Sequence, residues 1–67
     1  MNSDELCAHI KGMKVPDALD AIAENGCTSR YTYFNGKNLI DNVTSDYVET
    51  RLSLRVERDL IKHARVG

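Results

Sequence analysis

The sequence predicts one small α+β domain, a mixed sheet packed on one main helix with an extended exposed loop between two strands. Three observations predict it. A helical apolar stripe with start and stop signals runs from Val15 to Gly26. A strict two-residue alternation runs from Val48 to Glu57. The 67 residues are too few for a second core, so residues 1–67 form a single domain.

The elements follow in order. Ser3 is expected to cap a short first helix, with Asp4 and Glu5 in the first turn, where the helix dipole favours acids. Leu6 and Ile10 lie four apart on one face, and Gly12 supplies the stop. In the second helix Pro16 sits at the start, and Asn25-Gly26 ends the run. Val15, Ala18, Leu19 and Ile22 form its apolar stripe, and Asp17, Asp20 and Glu24 lie away from it. Arg30 to Phe34, rich in aromatic and β-branched residues, reads as a strand in which Tyr31 and Tyr33 share one face. Asn35-Gly36 then signals either a tight hairpin into Lys37–Ile40 or a simple strand exit. From Lys37 to Asp46 the residues are mostly polar and lack helical periodicity, which marks the loop. Val48, Thr50, Leu52, Leu54 and Val56 alternate with polar residues, Glu57-Arg58-Asp59 reads as a turn, and Leu60 to Val66 as a closing strand.

Composition narrows the function. Nine basic and ten acidic residues give a net charge of −1, with no basic excess for nucleic acid or an anionic membrane. No apolar run is long enough to span a bilayer. The acidic start Met1-Asn2-Ser3-Asp4-Glu5 is unlike a signal peptide, so the expected location is cytoplasmic as written, or secreted if this is a mature fragment. His9 and His63 are too isolated to build a zinc site with the cysteines, and no cofactor motif is present. Cys7 and Cys27 form one disulfide or remain two thiols, and without a secretory signal half-buried free thiols are expected. No phosphate loop or nucleophile elbow occurs, and a Ser45–His63 pairing is a coincidence readily met in any chain; the expectation is a binding protein rather than an enzyme. Asn42-Val43-Thr44 matches a glycosylation sequon, read here as chance.

Val43-Thr44-Ser45-Asp46-Tyr47, then Arg51-Leu52-Ser53-Leu54-Arg55-Val56, and the ending Arg65-Val66-Gly67 together resemble the potato inhibitor I family of serine protease inhibitors, which includes eglin and the barley chymotrypsin inhibitor. The pattern looks closer still to short bacterial elastase-inhibitor-like relatives. What the resemblance implies is a substrate-like loop inserted into a protease active site. Ser45 would take the primary specificity position and Asp46 the position after the scissile bond, with Val43 and Thr44 before them and Tyr47 after. Arg51 would reach back from its strand to brace the loop. A second arginine of the eglin pattern falls on Ser53, and the segment from Gly36 to Val43 is longer than the pattern expects. The small Ser45 suits a subtilisin- or elastase-like pocket. The bacterial relatives bridge a cysteine near the start to one beside the terminal glycine; Val66 stands there, so Cys7 would pair with Cys27 or stay free. The alternative is a small intracellular adaptor or regulator, phage- or plasmid-encoded, that binds another protein with the same scaffold. Either would act as a monomer or weak dimer.

Overall fold

The computed structural model describes residues 1–39 and 46–67. They form, in order, α1 (Ser3–Ile10), α2 (Val15–Glu24), β1 (Thr28–Phe34), β2 (Lys37–Asn38), β3 (Arg51–Glu57) and β4 (Leu60–Val66). The strands make one mixed sheet in the order β2-β1-β3-β4. The central pair β1–β3 is parallel, and the flanking pairs β1–β2 and β3–β4 are antiparallel. The expected α+β class is the one observed.

The helix ends follow capping chemistry, with one correction. Asn2, not Ser3, caps α1: its side-chain oxygen accepts from the Glu5 N–H at 2.8 Å. Both residue types cap well, so a tertiary bond decides between them. Ser3 enters the helix, and its hydroxyl donates to Glu49 O at 2.8 Å, joining the first helix to the chain just before β3. In α2, Pro16 sits in the first turn, where a missing N–H costs nothing. Gly26, at φ +70°, then turns the chain into β1.

One face of the sheet carries the helices. Leu52, Leu54 and Val56 of β3 and Ile61 of β4 are buried against Ala18 and Ile22 of α2. Beside the main helix, α1 inserts Leu6 and Ile10, both fully buried. The alternation in β3 therefore has its physical cause in a strand with one face on the core. The strand is shorter than its sequence pattern: it begins at Arg51 rather than Val48. Apolar alternation needs no partner, whereas a strand does, and the ladder to β1 starts at the Thr28–Arg51 pair. Before it the chain turns, and the Arg51 N–H donates to Val48 O at 3.2 Å.

A register shift in β1 corrects the expected aromatic face. Tyr31 stands opposite Leu54, yet Tyr33 stands opposite Arg55, with an irregularity between them. The extra residue reverses the alternation, so the two tyrosines point to opposite sides of the sheet. Tyr31 packs edge-on to Phe34 beside the core, ring centroids 4.9 Å apart. Tyr33 lies under the Arg55 guanidinium, 4.1 Å from its ring centre.

Of the two readings of Asn35-Gly36, the hairpin is the one formed. Phe34 pairs with Lys37, and both turn residues have positive φ, 47° and 96°. The returning strand is Lys37–Asn38; Ile40, the far end of the expected hairpin, lies outside the described residues. The β3–β4 turn places Arg58 and Asp59 in the left-handed region as well. Asn35 and Asp59 hold the two turns together: the Asn35 amide donates to Asp59 Oδ1 at 2.6 Å, and the Asp59 N–H donates to Asn35 Oδ1 at 3.1 Å. Among the described residues, no helix is long and apolar enough to cross a membrane.

Because α1 contributes two of the fully buried side chains, it is integral to the core rather than an appendage. Ile10→Ala should lower unfolding free energy by about 2–5 kcal/mol. That is a large share of the stability of so small a domain, and urea denaturation followed by circular dichroism measures it.

Candidate functional site

Of the residues singled out by sequence pattern, Asp46, Tyr47 and Arg51 lie at one end of the sheet, where β3 begins. Val43, Thr44 and Ser45 lie outside the described residues, as does the Asn42 sequon. Asp46 and Tyr47 are both exposed, and Tyr47 keeps 69% of its surface in solvent. Arg51, the first residue of β3, turns back toward them. Its Nη2 donates to the main-chain oxygen of Asp46 at 2.8 Å, and its Nη1 lies 3.6 Å from the Asp46 carboxylate.

Burial decides what this pair contributes. The Arg51 side chain is only 17% exposed while that of Asp46 is 57% exposed. An ion pair with one open partner adds little net stability, about 0–1 kcal/mol. The bond to the main-chain oxygen is directional and sets where residue 46 sits. The Arg51 Nε is buried, and no partner for it occurs among the described residues. Such a group costs desolvation without return, so the side chain is held there by packing and by its Nη bonds.

A second guanidinium reaches the same end from the neighbouring strand, and sequence reasoning missed it. Arg30 of β1 stands beside Ser53 in the parallel ladder. Its Nε donates to Ser53 Oγ at 3.0 Å and its Nη2 to Gly67 O at 3.0 Å. The Ser53 hydroxyl in turn donates to the same Gly67 oxygen at 2.5 Å. Ser53 is thus a buried polar residue, 3% exposed, with its hydrogen bonds made. Here a short hydroxyl leaves room, and the charge arrives from β1. Sequence spacing gave no cue, because β1 and β3 become neighbours only through the fold.

Gly67 closes the junction. Its N–H donates to Arg51 O at 2.7 Å. Its φ is +124°, and a Cβ there would stand 3.2 Å from Tyr47 Cδ2. Position 67 therefore takes glycine for two reasons, backbone conformation and the Tyr47 ring lying against it. The set Arg30, Ser53, Gly67, Tyr47, Asp46 and Arg51 forms one continuous network at the foot of the segment that enters β3.

Cys27 directly precedes Thr28, the residue paired with Arg51, and Cys7 lies on α1. Both are free thiols and half-buried. Cys27 Sγ lies 3.9 Å from Ser3 Oγ, on the first turn of α1. Burial, the Asp4 carboxylate and the neighbouring Cys27 push the Cys7 thiol above its ordinary range, in that order. Among the described residues, no group of three His, Cys, Asp or Glu side chains could hold a metal ion. Comparison with known proteins gives no match: no family model, curated protein or solved structure matches the chain significantly.

Arg30→Gln should lower stability by about 1–3 kcal/mol, since Ser53 and Gly67 lose a charged donor; urea titration checks this, and the Gly67 amide resonance should shift. Near neutral pH, Cys7 should react with iodoacetamide more slowly than a free cysteine, because less of it is thiolate. Asp4→Asn should speed that reaction, as mass spectrometry of the alkylated peptide would report. The raised Cys7 value also implies that fold stability declines as pH climbs above the ordinary thiol range.

Proposed function

We propose that the chain is a serine protease inhibitor that presents the segment around Ser45-Asp46 to the active site of a subtilisin- or elastase-like enzyme. The observation that carries this reading is the Arg51 guanidinium fixing the main-chain oxygen of exposed Asp46. By the resemblance, Asp46 is the residue just after the scissile bond. Support also comes from Tyr47, exposed and seated on Gly67, which gives the same stretch a second anchor.

The physical logic is preorganisation. A segment already extended loses little conformational entropy on docking, so it binds tightly as a substrate mimic. If the Ser45–Asp46 bond is cut, the new amine at Asp46 stays tethered through Arg51. It remains aligned with the acyl-enzyme carbonyl, and religation competes with hydrolysis. The small Ser45 side chain asks for an undemanding specificity pocket, whereas a trypsin-like pocket asks for a cation. The adaptor reading uses the same scaffold and leaves proteases untouched.

Incubation with subtilisin, pancreatic elastase and chymotrypsin separates the two. The expected result is tight, slowly reversible inhibition with any nick confined to the Ser45–Asp46 bond; rapid cutting at many sites would favour the adaptor. Ser45→Leu should shift preference toward chymotrypsin. Arg51→Ala should convert the inhibitor to a substrate while costing only about 1 kcal/mol of fold stability.

A further inference from the structure

The formal charge of −1 averages two unlike sides of the molecule. The helices α1 and α2 carry Asp4, Glu5, Asp17, Asp20 and Glu24. The sheet face turned away from them is cationic. In the β3–β4 ladder Ser53 pairs with Arg65 and Arg55 with His63, and paired residues share a face. That face is opposite Leu52, Leu54 and Val56, so it points away from the core.

Thr32, Ser53, Arg55, His63, Ala64 and Arg65 line a shallow groove of about 350 Å³ there. Arg55, His63 and Arg65 are exposed. The side chains of His63 and Arg65 make no hydrogen bond or ion pair with another described residue. Glu57 engages only the Nε of Arg55, at 3.1 Å. Arg55 is held in place from below by the Tyr33 ring, so its fork is oriented before anything binds.

We propose that this groove docks an acidic peptide segment of a protein partner, whose carboxylates sit on the guanidinium groups of Arg55 and Arg65. The charge of the groove selects the sign of the occupant, and the planar forks match carboxylates in particular. Two features favour an acidic peptide over nucleic acid. The Tyr33 face that a base would stack on is covered by Arg55. The groove is also short, with room for one or two side chains rather than a track for a polyanion backbone. The groove shares Ser53 with the network that holds Arg51 and Asp46, but the guanidinium groups of Arg55 and Arg65 take no part in that network, so the inference does not rest on protease inhibition.

The test uses the full chain and a fluorescein-labelled oligoglutamate peptide, read by anisotropy at low ionic strength and by amide chemical-shift mapping. The expected result is saturable binding, with shifts confined to Thr32, Arg55, His63, Ala64 and Arg65. Added salt should weaken it. Arg65→Glu should cut affinity about tenfold or more, and Arg65→Gln by less, each retaining a dispersed spectrum. Protease inhibition unchanged in Arg65→Glu would further support a docking role for the groove that is independent of the Arg51 network. The proposal is overturned by any of four results: affinity unchanged in Arg65→Glu, shifts centred on Lys11 and Lys14 of the helical side, tighter binding of oligothymidylate of equal charge, or the same shifts on concentrating the chain alone. The last would assign the groove to self-association through the acidic helices.

Discussion

The parallel pairing of β1 with β3 is the constraint on which the rest of the molecule depends. Antiparallel neighbours can be joined by a tight turn, but parallel ones cannot. The chain leaves β1 at Phe34, makes the short hairpin to Asn38, and must come back to pair Arg51 with Thr28 at the opposite end of the sheet. The strands are seven residues long, so the return covers about 20 Å at roughly 3.3 Å per residue. Any sequence on this topology needs a long connection there. The same pairing sets Arg30 beside Ser53, which fills the foot of that connection with a guanidinium from the neighbouring strand.

Energetics divide the molecule into two functions. Stability comes from the apolar side chains buried between the helices and the sheet, eight of them among the described residues, because apolar burial is the large favourable term in a domain this small. The polar network at the start of β3 adds little net free energy, since each bond replaces one to water. Its contribution is position: Arg51 holds residue 46, Gly67 carries the Tyr47 ring, and Arg30 with Ser53 holds Gly67.

Much of this was legible in the residues. Helix α2 announced itself through Pro16, its apolar stripe and Asn25-Gly26, and β3 through its alternation, because those signals are local. The Asn2 cap was missed because a bond from Ser3 to Glu49, across the fold, chose between two adequate capping residues. The opposed tyrosines were missed because the register shift in β1 depends on its partner strand. The basic groove was invisible to a charge count, which sums over faces that only the sheet separates.

The sequence by itself determined the two helices and the strands β1, β3 and β4 to within a few residues, and which side chains are apolar enough to meet in a core. Those properties follow from periodicity and capping over a few residues. Tertiary structure alone decided that β1 lies parallel to β3, that Arg30 takes the space Ser53 leaves, and that Arg55, His63 and Arg65 line one groove. The reason is that these are contacts between residues far apart in the chain, and local propensity carries no information about which distant strand becomes a neighbour.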